Sequence, residues 1–239
     1  MLLVDKKVGE TPLELLDRVR LEKPELENKT LSYAGRLDPM AEGQMLILVG
    51  EKENRNRSEY LECDKEYTAI FLVGISTDTG DVLGLINKEQ HTQIEEATLE
   101  KQVSGLKKLD IQTYPWFSGK TVYGIKLFDH FKSGNTEITR PSRKIIVKKA
   151  RLASLSQISV EELKKNIFES ISKIHGDFRQ EDILKCWDNF FQKNTSKLHI
   201  FKIEFMVSSG TFIRGLCEEF SFPTTLLRLN RTKIHLKRN

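Results

Sequence analysis

The sequence predicts a single domain of the α+β class. Segments with strand character and segments with helical periodicity follow one another along 239 residues without any internal repeat. No low-complexity linker and no sharp change of composition divides them. With 38% hydrophobic and 30% charged residues, a chain of this length has enough apolar side chains for one large core. One mixed α+β domain over residues 1–239 is the simplest architecture.

The first elements are a short strand and a capped helix. Residues 2–4, all aliphatic, predict a short buried strand. Thr11 and Glu14 have the spacing of a capping box, and Pro12 suits the first helical position. Apolar residues at helical spacing then carry the predicted helix to about Arg20.

Asp38 lies in a short polar stretch between two apolar segments. Gly35 precedes it by three residues and Pro39 follows it, so the sequence predicts a loop here. Pro39 also favours an extended backbone at Asp38. An aspartate on a stiff loop between core elements is well placed for chemistry. Taken alone, an aspartate in such a position is more often a turn or cap residue.

The rest of the chain alternates between the two kinds of element. Strands are predicted at residues 67–73, 145–147 and 198–207, the last with a break in its alternation near Phe201 that indicates a bulge. Helices are predicted at residues 94–106, 160–174, 184–191 and 211–220, the second of them opened by a capping box from Ser159 to Glu162. Residues 76–81 predict a turn-rich connection, and residues 111–134 show no clear period.

Several function classes find no support in the sequence. The three cysteines are far apart and the five histidines have no ligand spacing, so we expect reduced thiols and no metal site. Asp78 and Asp81 lack the other ligands of a calcium loop and predict a solvated turn. Nucleotide-binding glycine motifs, a signal peptide and a membrane-spanning run are absent, so we expect a cytoplasmic protein. The net charge of +4 permits a nucleic-acid partner without demanding one.

Three segments in this order resemble the TruB-type tRNA pseudouridine-55 synthases. They are residues 33–43 (YAGRLDPMAEG), residues 64–84, which begin DKEYTA, and residues 208–216 (SSGTFIRGL). Weaker agreement is found at residues 3–6, 115–118, 124–134, 140–143 and 229–232. Each segment alone is a weak signal, but all of them in sequence are specific, and they span most of the chain apart from about 158–195.

The resemblance implies a fold and an activity. The family folds as a mixed, mostly antiparallel central sheet flanked by helices and loops, with an active-site cleft across the sheet. It converts the T-loop uridine at position 55 of tRNA to pseudouridine without a metal or other cofactor. We therefore expect a monomeric enzyme whose partner is the T-stem-loop of tRNA, with no small-molecule cofactor and no membrane contact.

The same resemblance assigns residues. Asp38 matches the catalytic aspartate, Tyr67 the tyrosine that stacks on the target base, and Arg214 the arginine that pairs with the aspartate. Residues that match other substrate-contacting positions are Tyr33, Phe212 and Leu229.

The chemistry of these residue types agrees with the assignment. Moving a base from a nitrogen to a carbon linkage requires a nucleophile or a general base, and a carboxylate can be either. A free aspartate titrates at about 3.9; burial raises this pKa, and a nearby arginine lowers it by roughly 1–3 units. Extruding a base costs a few kcal/mol, of which an aromatic platform returns about 1–3 kcal/mol.

The sequence also departs from the family pattern. Tyr33 stands where the family usually has histidine, Ser209 where it has lysine, and Phe212 where it has tyrosine. Arg36 replaces a small or apolar residue and makes Arg36-Leu37-Asp38 similar to the ribosomal-RNA pseudouridine synthases.

Two larger differences concern the architecture. The chain ends soon after Arg231, so we expect the small C-terminal RNA-binding domain of many members to be missing. Residues 158–195 predict a helical insertion. One hypothesis is that its lysines, Lys164, Lys165 and Lys173, help to hold tRNA; a purely structural insertion is the alternative.

Other readings remain open at this point. The chain could be an RNA-binding or RNA-folding protein without catalysis, which would need its basic residues but not Asp38. It could also be a synthase for another RNA, as Arg36 suggests. The basic cluster from Arg140 to Arg151 fits a solvated face as well as a phosphate-binding surface.

Overall fold

A computed structural model of the chain describes residues 1–236, so the last three residues of the expected domain lie outside the described part. The strands are β1 (Leu2–Lys6), β2 (Leu31–Ala34), β3 (Ala41–Val49), β4 (Asp64–Val73), β5 (Ile75–Thr77), β6 (Ile86–Glu89), β7 (Ile111–Thr113), β8 (Thr121–Val122), β9 (Ile125–Lys126), β10 (Ser142–Lys144), β11 (Val147–Ile158), β12 (Leu198–Val207) and β13 (Thr224–His235). The α-helices are α1 (Pro12–Glu22), α2 (Gly50–Arg55), α3 (Arg57–Leu61), α4 (Glu96–Gly105), α5 (Leu127–Lys132), α6 (Val160–Ile171) and α7 (Gln180–Lys193), and 3-10 helices span Pro24–Leu26, Leu106–Lys108 and Ile213–Glu219.

A seven-stranded sheet forms the centre of the molecule. Its strands follow the order β1-β3-β13-β4-β12-β11, with β2 paired to β3. The β3–β13 pair is parallel, and the other neighbours in this sheet run antiparallel. The expected mixed, mostly antiparallel sheet is therefore confirmed, and its central strands β13 and β4 join the N-terminal and C-terminal parts of the chain.

The sheet carries two large hydrophobic cores and a third, smaller one formed by Ala34, Leu46, Leu48, Cys63 and Ile234. One face packs against α1 and α4, whose buried residues include Leu15 and Leu99, around the stacked rings of Phe71 and Phe201 at 5.2 Å. The opposite face packs against α6 and α7. The helical segment (residues 158–195) thus covers part of that face, since without it the core beneath it would be exposed to water.

Trp187 of α7 is the largest fully buried side chain in the described part of the chain. It lies in the core beneath the helical segment, and its indole Nε1 donates a hydrogen bond to the Val82 carbonyl at 3.2 Å. Burying an indole with its N–H satisfied is favourable, so Trp187 ties α7 to the connection between β5 and β6.

The predicted bulge at Phe201 is wrong. Strand β12 pairs with β4 without interruption, and its residues change the core that they contact: Leu198 and Ile200 face the helical segment, whereas Phe201 and Ile203 face the other core. The apparent slip is therefore normal alternation with both faces buried. The bulges lie in the partner strand β11, at residues 147–149 and 152–154.

Most predicted helices and strands are present as the predicted type of element, but their first and last residues differ from the prediction. The Thr11–Glu14 capping box is present. At Ser159 only half of the predicted box forms, with the Ser159 hydroxyl accepting from the Glu162 amide, and α6 ends at Ile171 rather than near residue 174.

Three other predictions need correction, and two helices were missed. The helix expected at 211–220 is a 3-10 helix over Ile213–Glu219. The strand expected at 145–147 begins at Val147 and runs to Ile158, while Ile146 is exposed. In β1, Leu3 is exposed rather than buried, since β1 lies at the edge of the sheet with one face in solvent. Helices α2 and α3 were not expected, because neither contains a buried residue that would produce an apolar period.

Candidate active site

The loop that carries Asp38, residues 35–40, joins β2 to β3 and is held at both ends. At its start, Arg231 Nη2 donates to the Gly35 carbonyl at 2.8 Å. At its end, Lys6 Nζ donates to the Pro39 carbonyl at 3.3 Å and to the Ala41 carbonyl at 2.6 Å. The loop expected from the sequence is confirmed, and two cations fix its path.

Lys6 and Arg231 are each only 1% exposed, which is unusual for charged side chains. Burial lowers the pKa of Lys6 to about 8, although Glu10, Asp38 and Glu42 oppose that shift. Their partners are backbone carbonyls on the Asp38 loop and on β3, so their charges are stabilised by oriented dipoles. Sequence reasoning did not assign them a role, although both lie in segments of weaker family agreement.

Arg214 orients the Asp38 carboxylate. It comes from the 3-10 helix after β12, it is 5% exposed, and its Nε donates to Asp38 Oδ2 at 2.7 Å. Its other nitrogens donate to backbone carbonyls, Nη1 to Thr79 at 2.8 Å and Nη2 to Phe117 at 2.6 Å. With the guanidinium held on three sides, Asp38 has a fixed partner 176 residues away in the chain.

Asp38 is ionised and accessible. Burial would raise the pKa of its carboxyl, but the charge and hydrogen bond of Arg214, helped by Arg36 and Lys6, outweigh burial and hold that pKa below the usual value. The Asp38 side chain is still 34% exposed. A carboxylate that is charged, oriented and open to solvent can act on a ligand in the adjoining cleft.

Asp81 is a second acid at this site that the sequence reasoning missed. The solvated turn expected for Asp78 and Asp81 is wrong, since Asp81 is 6% exposed and lies 3.9 Å from Arg214 Nε. Burial, reinforced by the negative charge of Asp38, raises the Asp81 pKa to about 6 despite the opposing charge of Arg214. The turn is buried because it folds against β13, where the Leu226 amide donates to the Gly80 carbonyl at 2.9 Å.

A recess of about 610 Å³ opens beside Asp38. Five of the six predicted site residues line it: Asp38, Tyr67, Phe212, Arg214 and Leu229. Tyr67 is 8% exposed, at the back of the recess on β4, and the Phe212 ring contacts Tyr114 edge-on at 5.7 Å. Basic side chains that also line it are Arg36, Lys65, Lys120, Arg143 and Arg231.

Tyr33 is the predicted site residue that lies outside this recess. It is on β2, paired with Ile47 of β3, and the Arg57 guanidinium lies 5.6 Å from the centre of its ring. Its role in substrate contact stays a prediction.

A second recess of about 470 Å³ adjoins Asp38 on another side. Phe117, Arg214 and Arg36 are shared between the two recesses. The other walls come from α5, through Phe128 and its neighbouring lysines, and from the helical segment, through residues 177–179. The helical segment therefore reaches the site, which the sequence did not indicate.

The basic residues divide into two groups. Lys148, Lys149 and Arg151 form ion pairs with Asp64 or Glu204 on the exposed side of the sheet, whereas Arg143 lines the cleft. In the helical segment, Lys164 Nζ lies 2.6 Å from Asp188 and Lys165 Nζ lies 3.9 Å from Glu169. These local pairs favour a structural role for those lysines over the tRNA contact considered above.

Within residues 1–236, no group of three or more histidine, cysteine, aspartate or glutamate side chains has the arrangement of a metal site. The cysteines Cys63, Cys186 and Cys217 are free thiols. In the same part of the chain, no helix is long and apolar enough to cross a bilayer.

A protein-family comparison decides the affiliation. The family model described as TruB family pseudouridylate synthase (N terminal domain) matches residues 23–168, which include the Asp38 loop and Tyr67. The chain belongs to the TruB family. The match covers more than half of the chain, and the resemblance seen in the sequence motifs is confirmed.

Curated relatives point to the same family. The chain is 30% identical over 164 residues to tRNA pseudouridine synthase B of Psychrobacter cryohalolentis, covering 67% of this chain and 45% of the relative. It is 38% identical over 139 residues to the Chlamydia trachomatis serovar L2 protein of that name, covering 56% and 54%. With the Caldicellulosiruptor saccharolyticus protein it shares 29% identity over 98% of this chain and 66% of the relative. The chain thus spans about half to two thirds of these TruB relatives.

Solved structures support the fold. A chain of a Cbf5-Nop10-Gar1 complex superposes with a TM-score of 0.53 at 16% identity, covering 99% of this chain and 50% of that chain. A chain of an H/ACA RNP bound to a substrate RNA containing 2′-deoxyuridine gives 0.50 at 15% identity, covering 99% and 49%. At such identities the likeness concerns the fold alone, and it confirms the expected pseudouridine synthase architecture.

Proposed function

We propose that this chain is a tRNA pseudouridine synthase that isomerises the T-loop uridine at position 55 to pseudouridine. The observation that carries the proposal is the Asp38–Arg214 pair, with Nε and Oδ2 2.7 Å apart, at a solvent-open recess lined by Tyr67 and cations. Membership of the TruB family and curated relatives named tRNA pseudouridine synthase B support it.

The proposed reaction places one extruded uridine in the recess. Tyr67 offers its ring to the base, returning about 1–3 kcal/mol of the unstacking cost. Asp38 acts as the covalent catalyst: its carboxylate forms a bond to that nucleotide, and this bond breaks again before the product leaves. The bond from the sugar to N1 of the base breaks, a bond from the sugar to C5 forms, C5 loses a proton and N1 gains one. Atoms and electrons balance, so the reaction needs no oxidant, reductant or second substrate, and we propose that it uses no metal and no other cofactor.

Arg214 serves this reaction in two ways. Its charge keeps Asp38 ionised in a partly desolvated site, and its three hydrogen bonds fix the direction in which the carboxylate points. Phe212 and Leu229, which line the same recess, contact the substrate, and the rim cations bind backbone phosphates. Tyr33 contacts RNA outside the recess.

The proposal also includes the oligomeric state, the location and the domain organisation of the enzyme. It acts as a monomer in the cytoplasm on the T-stem-loop of tRNA. It is a single catalytic domain over residues 1–239 in which residues 158–195 are a helical insertion.

The test is a pseudouridine-specific chemical map of an unmodified tRNA transcript after incubation with the chain. Conversion of the T-loop uridine supports the proposal. Conversion only in ribosomal-RNA fragments incubated in parallel would assign the chain to another RNA. Binding of tRNA with no conversion of any uridine would indicate a non-catalytic RNA-binding protein and overturn the proposal.

A further inference from the structure

The turn between α6 and α7 brings an arginine to the back of the site. Arg179 has a backbone φ of +63°, in the left-handed region that costs a non-glycine residue energy. This conformation ends the turn at the N-cap of α7, and the side chain hydrogen-bonds to Asp78 in the β5–β6 connection.

Arg179 makes two contacts, the first of which is specific to a guanidinium. Its Nη1 and Nη2 donate to Asp78 Oδ2 at 2.7 Å and Asp78 Oδ1 at 3.3 Å, a bidentate pair. Its guanidinium carbon also lies 4.5 Å from the centre of the Phe117 ring. The Asp78 side chain is only 9% exposed, so this pair is stronger than a surface ion pair, while Phe117 is half-buried.

These two partners flank the groups that hold Arg214. Asp78 immediately precedes Thr79, whose carbonyl accepts from Arg214 Nη1 at 2.8 Å. Phe117 supplies the carbonyl that accepts from Arg214 Nη2 at 2.6 Å. Arg179 therefore ties together the two chain segments between which Arg214 lies.

We propose that Arg179 is a positioning residue that, by holding Asp78 and Phe117, fixes the two carbonyls that orient Arg214 toward Asp38. The catalytic consequence rests on the proposed function. The helical segment then contributes to the active site through one side chain rather than through a basic surface.

The packing of the helical segment does not depend on Arg179. Its helices are anchored by a core that includes Ile167, Ile183 and Trp187, and the Trp187 indole is bonded to Val82. Removal of the guanidinium should leave that core in place, so a positioning role can be separated from a folding role.

The first experiment compares Arg179→Ala and Arg179→Lys with the wild type in single-turnover pseudouridine formation at saturating tRNA. Since a misplacement of about 1 Å can cost roughly 100-fold, we expect Arg179→Ala to lose about ten- to a hundredfold in rate with unchanged tRNA Kd. Lysine keeps the charge but not the fork or the stacking plane, so its rate should lie in between. Lys164→Ala, which removes an ion pair within the helical segment, should match the wild type.

A second readout does not require turnover. The Asp38 carboxyl is titrated by NMR in protein carrying ¹³C-labelled aspartate, with its resonance identified by its loss in Asp38→Asn. The charged groups that face it are Arg214, Arg36, Lys6 and Asp81. With Arg214 less well held, the Asp38 pKa should rise in Arg179→Ala and move part of the way in Arg179→Lys, while it stays at the wild-type value in Lys164→Ala.

The outcomes are distinct. An unchanged Asp38 titration in folded Arg179→Ala overturns the inference, as does a loss of tRNA affinity with a wild-type rate at saturation, which would make Arg179 an RNA contact. Failure of the wild type to form pseudouridine would count against the proposed function alone, because the titration still reports on the position of Arg214.

Discussion

At the scale of single residues, the site combines charged side chains, each of which would destabilise the fold if it were buried without its partners. Arg214 stands between two acids, 2.7 Å from Asp38 and 3.9 Å from Asp81, and the two acids differ in their surroundings. Asp38 is partly open to solvent and hydrogen-bonded to Arg214, so its pKa is lowered. Asp81 is buried, and its pKa is raised to about 6. One carboxylate is thereby kept charged and accessible, and the other stays in a supporting position.

The raised pKa of Asp81 predicts a stability that depends on pH. Between about pH 4, where a free aspartate titrates, and pH 6, the folded protein binds this proton more tightly than the unfolded chain, so stability falls as pH rises. The Asp81→Asn substitution removes this contribution to the pH dependence of stability. The difference in unfolding free energy between Asp81→Asn and the wild type should rise by roughly 3 kcal/mol from pH 4 to pH 7, at about 1.4 kcal/mol per pKa unit. Urea titrations at several pH values measure it, and a difference that stays flat would contradict the raised pKa.

Tyr67 predicts a loss of catalysis when its ring is removed. Tyr67→Leu should raise the free-energy barrier reported by kcat/KM for tRNA by about 1–3 kcal/mol, a loss of roughly five- to 150-fold, because the target base loses its platform. Tyr67→Phe keeps the ring and should stay near the wild type. Equal losses in both variants would mean that the hydroxyl, rather than stacking, is the important group.

At the scale of elements, the site depends on how strands approach each other. The parallel β3–β13 pair places Gly43 beside Asn230 and Arg231, with φ +101° and no room for a side chain: an added Cβ would lie 2.4 Å from the Arg231 carbonyl oxygen. Since Arg231 also holds the start of the Asp38 loop, the strand pairing and the loop are coupled through this position.

Gly43→Ala should therefore destabilise the protein by more than the strain of a positive φ, because the added methyl group also clashes with β13. Gly50 is a matched control, because its φ of +78° is also in the left-handed region but no atom lies within 4 Å of an added Cβ. We expect Gly43→Ala to lose at least about 2 kcal/mol more unfolding free energy than Gly50→Ala, measured by chemical denaturation. Equal losses of stability in the two variants would show that β13 can shift to accommodate the added methyl group without loss of stability.

The elements also show how far the sequence predicts the site. Asp38, Tyr67 and Arg214 were found because local motifs around them resemble a family, and the structure brings all three to one recess. Asp81 and Arg179 were missed for a physical reason: Asp81 is buried by packing against β13, and Arg179 meets Asp78 across 101 residues. The sequence of a short turn does not indicate which other elements pack over it. The polar residues around Asp81 therefore led to the prediction of a solvent-exposed turn.

At the scale of the whole molecule, the helical segment and the cleft have different roles in RNA binding. The segment covers part of a sheet face, so deleting it would expose buried residues such as Leu72 and Leu227 and would test folding rather than affinity. Two of its lysines, Lys164 and Lys165, are paired locally, whereas Lys120 and Arg143 line the cleft. Affinity for a polyanion should therefore follow the cleft cations.

This contrast predicts different salt dependences for two lysine variants. Lys120→Ala should weaken tRNA binding and reduce the slope of log K against log salt by about 1, which corresponds to one lost phosphate contact. Lys165→Ala removes an exposed lysine of the helical segment and should leave affinity and slope unchanged. Binding titrations at several salt concentrations measure both; a reduced slope in Lys165→Ala would restore the segment as an RNA-binding surface.

The most direct measurement of the central claim is pseudouridine formation by Asp38→Asn on an unmodified tRNA transcript, alongside its affinity for that tRNA. The amide keeps the shape but not the charge or nucleophilicity of the carboxylate, so we expect no detectable pseudouridine and near wild-type binding. Asp17→Asn, an exposed acid on α1, should remain fully active. Sustained turnover by Asp38→Asn would contradict the account.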